Sequence, residues 1–319
     1  MTEEERVGDF ARRVARISDS ICRVFVGKRS SVDLLLTGVI AGLHVLIEDV
    51  PGVGKTTLAK SLSVSLGLDF SRIQFTPDLL PGDIIGMTVW KPDTQEFVFK
   101  SGAIMHQFIL ADEINRASPR TQSSLLEAMQ EQAVTVDGHT YHLPEPFIVI
   151  ATQNPSTFMG AFQLPEGELD RFGIALSLGY PDPAGEEEIL RRFQTETSTP
   201  DIRPQISPSE LEEIQRLVRT VEISDSVRSF MISVVRKTRE TPLIQLGASP
   251  RAAVQLQRAS QGHAFMSGRH FVMPEDVVAL APSVLAHRVN LSAEARVGAT
   301  SGAEVIEQLV KECRLPVGI

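Results

Sequence analysis

Residues 44–60, HVLIEDVPGVGKTTLAK, decide the fold class of this chain of 319 residues. An apolar run leads into a loop with two glycines, and a helical pattern follows. The loop matches the phosphate-binding pattern G-x-x-x-x-G-K-[ST] at Gly54, Lys55 and Thr56, whereas Asp49 occupies the position of the first glycine. A strand, loop and helix in this order direct backbone N–H groups and the positive end of the helix at a phosphate. The stretch therefore predicts a nucleotide-binding α/β domain.

The loop residues also indicate which cofactors the domain binds. Gly52 and Gly54 allow the backbone to approach a phosphate closely, and Lys55 can reach the β and γ oxygens. The hydroxyl of Thr56 can bind Mg²⁺. The alternative, an ordinary turn between a strand and a helix, requires no lysine at this position. These residues predict ATP and Mg²⁺ as cofactors.

Two further apolar runs end in polar side chains. Residues 107–113, QFILADE, end in Asp112 and Glu113, and residues 147–155, FIVIATQNP, contain Asn154. Strands of a parallel sheet present such ends at the edge where ligands bind. Asp112 can hold Mg²⁺ through water, Glu113 can orient or deprotonate the attacking water, and Asn154 can hold that water or the γ-phosphate. A solvated strand end and a turn-forming asparagine are the alternatives, and the lysine loop favours the catalytic interpretation.

Two arginines are candidates for contacts with the γ-phosphate. Arg171 lies in LPEGELDRFG, just before the last apolar run, and Arg251 lies in GASPRAAVQLQ, on the first turn of a helix. Phosphoryl transfer needs positive charge on the γ-phosphate, and a neighbouring subunit can supply that charge. A surface position is the usual alternative for an arginine.

The order of patterns along the chain predicts two domains. Apolar runs alternate with helical patterns from residue 44 to about 180, which indicates a parallel sheet with helices on its faces. Residues 133–143, with an Asp137-Gly138 turn, and residues 87–99 break the alternation and predict hairpins. The composition changes over residues 181–207, and the chain beyond them reads all-helical. We therefore expect a core within residues 1–190 and a helical domain at residues 191–319.

The N-terminal stretch predicts an amphipathic helix. Its apolar residues recur at spacings of three and four, and they are Val7, Phe10, Val14, Ile17 and Ile21. We expect this face to pack on the core, and a partner-binding helix is the alternative.

The balance of charge disfavours a nucleic-acid-binding protein. The chain has 40 acidic and 31 basic residues, a formal net charge of −9, and only 6% aromatic residues that could stack on bases. Cys22 and Cys313 lie far apart in sequence, which indicates a reducing compartment and no disulfide framework. The first ten residues lack an apolar signal, and the longest apolar stretch, residues 34–47, is too short to span a bilayer. We expect a cytoplasmic protein without a membrane span and without a nucleic-acid partner.

These motifs together resemble the MoxR family of AAA+ ATPases, over nearly the whole chain. Residues 110–138 are the most specific part of the match. The stretches that carry the resemblance are VGK (26–28), EDVPGVGKT, ILADEINRASPRTQSSLLEAMQEQAVTVDG, FIVIATQNP, LPEGELDRF, YPDP and SPRA. The resemblance implies an α/β P-loop AAA+ core, a parallel sheet flanked by helices, with a C-terminal all-α lid domain.

The resemblance also implies roles for individual residues. Asn154 would be sensor 1, Arg251 sensor 2 from the lid, and Arg171 the arginine finger that reaches the ATP of the next subunit. The catalytic set implied is Glu113, Lys55, Asn154, Arg171 and Arg251. The metal would be held by Thr56 and Asp112. The nucleotide-contacting set implied is Val26, Gly27 (both beside the adenine), Val50, Pro51, Gly52, Val53, Gly54, Lys55, Thr56, Thr57 and Arg251.

The family comparison bears on four unusual positions. Loops of this family often read E-D-V-P-G, so Asp49 is expected to be tolerated. Lys28 stands where glutamine is common, and Gly167 lies in the approach to the arginine finger. Arg116, in EINRAS, is a rival to Arg171 as the arginine at the subunit interface.

The resemblance implies hexameric rings of this chain, a partner with a von Willebrand factor A domain and a protein client. ATP hydrolysis would then drive chaperone-like remodelling, maturation or metal-cofactor insertion. A slowly hydrolysing ATP-binding switch or scaffold is the main alternative, and a nucleic-acid motor is a weaker one. His139 and His142 lack the further ligands that a structural zinc site needs.

Overall fold

Five parallel strands form the central sheet, in the order β2-β5-β8-β1-β9. The computed structural model describes residues 3–154, 162–194, 202–298 and 301–316. Its strands are β1 Val45–Glu48, β2 Phe70–Gln74, β3 Gly86–Lys91, β4 Glu96–Ser101, β5 Phe108–Asp112, β6 Ala133–Val136, β7 His139–His142, β8 Ile148–Gln153, β9 Ile174–Leu176, β10 Ile244–Leu246 and β11 Asn290–Leu291. Every residue of β5 is buried, as expected for a strand covered on both faces of a parallel sheet.

The helices surround this sheet and make up most of the C-terminal part. They are α1 Glu3–Val24, α2 Arg29–Ile40, α3 Lys55–Ser65, α4 Pro81–Ile85, α5 Pro119–Glu131, α6 Glu166–Leu169, α7 Pro183–Gln194, α8 Pro208–Thr220, α9 Asp225–Glu240, α10 Pro250–Met266, α11 Pro274–Leu285, α12 Ala293–Val297 and α13 Gly302–Glu312. Two 3₁₀ turns, Ile114–Arg116 and Ala286–Arg288, complete the list.

The N-terminal helix packs on the core as its apolar spacing predicts. All five stripe residues are buried, and three of them, Val14, Ile17 and Ile21, have no exposed surface. Helix α1 contacts α2, α3 and α10, so it joins the α/β part of the chain to the C-terminal helices. One apolar cluster includes residues of all these helices, which makes the two parts share a core.

Both predicted hairpins are present. β3 pairs with β4, and β6 pairs with β7, each in antiparallel register. Asp137 and Gly138 have φ values of +50° and +80°, as a tight two-residue turn requires. The rings of Phe99 and Tyr141 stack with centroids 3.9 Å apart, and this contact ties the two hairpins together.

The C-terminal part is helical, with one addition that the sequence did not indicate. β10 and β11 form a short antiparallel pair between helices, because extended residues after α9 meet those before α12. Helix α8 begins with a capping box, in which Ser207 and Glu210 bond each other's backbone N–H groups. The predicted boundary between residues 190 and 191 falls inside α7, and the division into domains stays a prediction.

The carboxyl ends and the amino ends of the parallel strands form two opposite edges of the sheet, and different residues lie at each. Asp49, Glu113 and Asn154 follow the carboxyl ends of β1, β5 and β8, at one edge. His44 and Gly173 precede β1 and β9 at the opposite edge, where the N–H of Gly173 donates to the carbonyl of His44 at 2.8 Å. Among the residues that the structure describes, no helix combines the length and the hydropathy that a membrane span requires.

Candidate functional site

The loop after β1 has the backbone that a phosphate-binding turn needs. Gly52 and Gly54 have φ values of +89° and +85°, in the left-handed region that favours glycine. No heavy atom lies within 4 Å of the place where a Cβ on Gly52 would stand, so this part of the loop faces open space. A Cβ on Gly54 would lie 3.2 Å from the ring of Phe25, which packs beneath the loop.

Lys55 begins α3 and carries a nearly buried ammonium group. The residue is 8% exposed, and its Nζ donates to the backbone oxygen of Asp49 at 2.8 Å. Burial lowers the pKa of Lys55, while the nearby carboxylates of Asp112, Asp49 and Glu113 oppose that shift. The lysine therefore lies close to the acidic residues that follow β5, at the same edge of the sheet.

Asp49 directs its carboxylate away from the open part of the loop. Its Oδ2 accepts from the backbone N–H groups of Leu178 at 2.6 Å and Gly179 at 2.9 Å, and from the hydroxyl of Ser177 at 3.1 Å. Its Oδ1 accepts from the N–H of Val50 at 3.0 Å. The residue that replaces the first glycine thus binds the segment after β9.

Thr152 on β8 orients the two acidic residues at the end of β5, Asp112 and Glu113. Its Oγ1 donates to Asp112 Oδ1 at 2.7 Å and accepts from the N–H of Glu113 at 2.8 Å. Arg72 on β2 donates to the other oxygen of Asp112, Oδ2, from Nη2 at 2.7 Å and from Nε at 3.2 Å. Asp112 is therefore held from both neighbouring strands.

The carboxylate of Glu113 is occupied by side chains of its own chain. Its Oε2 accepts from Arg116 Nη1 at 2.7 Å and from Gln74 Nε2 at 3.2 Å. Glu113 has a φ of +57°, which is uncommon for a residue other than glycine and sharply turns the chain after β5. Arg116, the rival interface arginine, thus pairs with Glu113 of the same chain.

Sequence reasoning missed the side chains that hold these acids. Arg72 and Gln74 alternate with apolar residues in SRIQF (71–75), which lies within the part of the chain predicted to form a parallel sheet with helices on its faces. Thr152 is a polar residue inside the apolar run that precedes Asn154. Polar residues within such runs were the available signal, since they need a partner when buried.

Asn154 directly follows β8, at the same edge as Lys55. Its backbone oxygen accepts from Asn115 Nδ2 at 3.1 Å. The structure therefore brings together the loop, the two acids and this asparagine. Thr56 is partly exposed beside Lys55, and Thr57 is exposed.

Val26 and Gly27 lie between the loop and α7. Gly27 is exposed, and a Cβ on it would collide with the ring of Phe25, which also packs on Gly54. Val26 Cγ1 lies 3.0 Å from the place of a Cβ on Gly185, in the first turn of α7. The two predicted adenine-side residues are thus adjacent to the loop through Phe25.

Arg171 and Arg251 lie near the opposite edge of the sheet. Arg171 precedes β9, and its Nη1 is buried without a hydrogen-bond partner among the described residues. Arg251 Nη1 lies 3.5 Å from Gln130 Oε1, at the end of α5. The pKa of His44 is lowered to about 4, mainly by burial and also by the charge of Arg251. Within one chain, the structure does not bring these arginines to Lys55.

The residues at the loop edge fit a nucleotide with a divalent cation. Open space faces glycine backbone, a buried ammonium group is available for phosphate, and Thr56 and Asp112 offer the oxygen ligands that Mg²⁺ prefers. Nowhere in the described ranges is a group of three or more His, Cys, Asp or Glu residues arranged to hold a metal ion. His139 and His142 are both exposed on β7.

Comparisons with known proteins agree with this geometry. Residues 44–174 match the ATPase family associated with various cellular activities (AAA), and residues 236–309 match the AAA lid domain. The chain is 44% identical to the protein YeaC of Bacillus subtilis, over 94% of this chain and 93% of that protein. It is 37% identical to Chaperone MoxR1 of Mycobacterium tuberculosis, over 92% of this chain and 80% of that protein.

A solved structure supports the same assignment. A Cytophaga hutchinsonii protein assigned as an ATPase superposes with a TM-score of 0.90 and 37% identity, over 98% of each chain. The predicted fold class, an AAA+ core with a helical lid, is confirmed. The chain belongs to the MoxR family of AAA+ ATPases.

Proposed function

We propose that this protein binds ATP with Mg²⁺ at the loop after β1 and hydrolyses it to ADP and phosphate. The observation that carries the proposal is the convergence of a buried lysine, Lys55, with Asp112 and Glu113 at one sheet edge. Glycine backbone facing open space lies in the same loop. A lysine, two acids and a glycine turn are the parts that phosphoryl transfer requires.

Each residue of this edge has a proposed task. The backbone of residues 50–54 and the ammonium group of Lys55 bind the phosphates. Thr56 and Asp112 hold Mg²⁺, which neutralises charge on the phosphate oxygens when bound. Glu113 orients and deprotonates the attacking water, and Asn154 holds that water or the γ-phosphate. Val26 and Gly27 border the adenine.

The two arginines are proposed to act on the ATP of a neighbouring copy. Arg171 and Arg251 lie at the edge opposite Lys55, so one chain has the loop and the arginines at different ends. The pairing of Arg116 with Glu113 of its own chain favours Arg171 as the trans-acting arginine. We therefore propose a closed ring of copies, a homo-hexamer, in which every site is shared between two subunits.

The work that hydrolysis drives is proposed from the relatives. One relative is named a chaperone, and this supports chaperone-like remodelling or maturation of a client protein. A partner with a von Willebrand factor A domain and insertion of a metal cofactor are part of the same proposal.

A slowly hydrolysing switch is a second candidate, and one observation favours it. The Glu113 carboxylate is held by Arg116 and Gln74, away from a role as a free base. A partner that releases Glu113 would then turn hydrolysis on.

Turnover and binding measured together test both candidates. The purified protein is compared with Glu113→Gln in steady-state ATP hydrolysis and in the binding of a fluorescent ATP analogue. Turnover that falls by about 10²- to 10⁴-fold in the variant, with binding retained, supports a catalytic base. Equal turnover in the two proteins would refute the role of Glu113, and binding with negligible turnover in both would support the switch.

A further inference from the structure

The segment that carries Arg171 is fastened to the C-terminal helical part by Arg288. The Arg288 side chain is buried, with the residue 5% exposed, and its Nη1 donates to the carbonyl of Val284 at 2.6 Å. Its Nη2 donates to the carbonyl of Phe172 and, at 3.4 Å, to that of Asp170. One guanidinium therefore holds the backbone on both sides of Arg171.

The carboxylate of Asp170 connects that segment to α10. Its Oδ1 lies 3.0 Å from Arg288 Nε, and its Oδ2 accepts from the hydroxyl of Ser249 at 2.9 Å. Ser249 is the N-cap of α10, where its Oγ accepts from the N–H of Ala252. Arg251 is the second residue of the same helix. The residue directly before one candidate arginine thus bonds, through its carboxylate, the cap of the helix that carries the other.

Arg288 and Arg251 place positive charge near this carboxylate. Burial lowers the pKa of Arg288 to about 10, with the charge of Arg251 acting in the same direction and Asp170 opposing both. Burial also lowers the pKa of Arg258 on α10, and Arg219 and Arg251 add to that effect. The arginines therefore repel one another, and a negative group among them stabilises their approach.

We propose that Asp170 is a positioning residue that, with Arg288, holds Arg171 and Arg251 in one fixed arrangement for the γ-phosphate of a neighbouring subunit's ATP. The inference rests on the proposed function. A rigid pair of charges costs no reorganisation when charge develops on the phosphate, so its arrangement affects kcat.

The first test is Asp170→Asn, which preserves shape and removes the negative charge. We expect kcat for ATP hydrolysis to fall by about 10- to 100-fold, since misplacement of about 1 Å has effects of that size. KM and the affinity for a fluorescent ATP analogue should stay within about twofold, because Lys55 lies at the other edge of the sheet. In an Arg171→Ala background the substitution should cause little further loss, because the two residues act as a unit.

A matched control separates positioning from stability. Asp276, a buried carboxylate of the C-terminal part, pairs with Arg269 and His263 and contacts neither Arg171 nor Arg251 among the described residues, whereas the side chain of Asp170 is 19% exposed. Asp276→Asn should lower thermal stability but leave the kcat of the folded protein within about twofold. An equal loss of kcat in both variants would overturn the proposal, because a general structural defect would explain it.

Mixing of variants decides whether Asp170 acts across the interface. Copies with Asp170→Asn keep an intact loop and Glu113, and copies with Glu113→Gln keep an intact Asp170 and Arg171. The mixture should hydrolyse ATP faster than either variant does alone. If this mixture does not recover turnover but a mixture of Arg171→Ala and Glu113→Gln does, the role of Asp170 is overturned and the shared site stands. Failure of both mixtures would overturn the shared site, and absence of turnover in the unaltered protein would overturn the proposed hydrolysis; either result removes this inference too.

Discussion

The carboxylate of Asp49 accepts a 2.6 Å hydrogen bond from the backbone N–H of Leu178. This bond and the one from Gly179 explain how an acid replaces the first glycine of a phosphate-binding loop. The carboxylate stabilises the segment after β9 and leaves the glycine part of the loop open. Asp49 consequently connects the loop to the carboxyl end of β9, the strand that begins after Arg171.

Removal of this carboxylate should destabilise the protein. Asp49→Ala leaves the N–H groups of Leu178 and Gly179 without their acceptor, and we expect a loss of about 1–3 kcal/mol in the free energy of unfolding. Denaturant unfolding measures the change. Glu307→Ala, on the exposed side of α13, is the control and should stay within about 0.5 kcal/mol. A similar small effect of Asp49→Ala would show that these bonds contribute no stability.

Gly54 should be required for nucleotide binding beyond its effect on stability. Gly54→Ala puts an alanine at a φ of +85°, where residues other than glycine are strained. Its Cβ lies 3.2 Å from the ring of Phe25, so the loop must shift. We expect ATP affinity to fall at least about tenfold, as measured by titration with a fluorescent analogue. Gly138→Ala imposes a similar φ of +80° on the hairpin turn, with no heavy atom nearby. If both substitutions weaken ATP binding equally, backbone strain alone is the cause and the loop has no special role.

The two interface candidates, Arg171 and Arg116, should respond differently to truncation. Arg171→Ala should lose about 10³-fold or more in turnover if this residue supplies charge to the γ-phosphate. Arg116→Ala frees Glu113 from an ion pair whose arginine is 54% exposed, and turnover should stay within about threefold or rise. Steady-state kinetics of the two variants make the comparison. The reverse ranking would assign the trans-acting role to Arg116.

Two buried histidines should make stability depend on pH. Burial, with smaller contributions from neighbouring arginines, lowers the pKa of His44 to about 4 and that of His287 to about 3. Below about pH 6.5 the unfolded chain binds protons that the folded one does not, so stability falls as pH drops from about 6.5 toward about 4. Each histidine contributes a slope of up to about 1.4 kcal/mol per pH unit.

Substitution of one buried histidine checks the source of that slope. His287→Gln should reduce the slope of unfolding free energy against pH by the contribution of about one proton. Denaturant unfolding between about pH 4 and about pH 7 measures this slope. His139→Gln, an exposed position on β7, is the control and should leave the slope unchanged. An unchanged slope in His287→Gln would show that this ring is protonated in the folded state too.

Local sequence predicted the loop and the acidic strand end, because each is a short motif whose chemistry depends on neighbouring residues. The partners of these residues depend on strand order instead. Gln74 stands opposite Asp112 only once β2 pairs with β5, and Thr152 reaches the acids only because β8 pairs with β5. The sequence of a single chain does not show which strands lie next to each other in the sheet.

The positions of the arginines show the same limit. Their motifs identified Arg171 and Arg251, and the position of Arg171 before an apolar run already indicated the amino end of a strand, but local patterns did not indicate that Arg251 lies at the same edge. The placement of Arg251 depends on how α10 packs against α1 and α2, through contacts between residues far apart in the chain. The short β10–β11 pair escaped prediction for the same reason.

The shared active site is the central claim, and one mixing experiment tests it most directly. Lys55→Ala copies lack a working loop but keep Arg171, whereas Arg171→Ala copies keep the loop. Each variant alone should be inactive, and a mixture in which differently tagged copies co-purify should recover a measurable fraction of ATP turnover. A co-purifying mixture as inactive as its components would contradict a site completed by Arg171 of a neighbouring subunit.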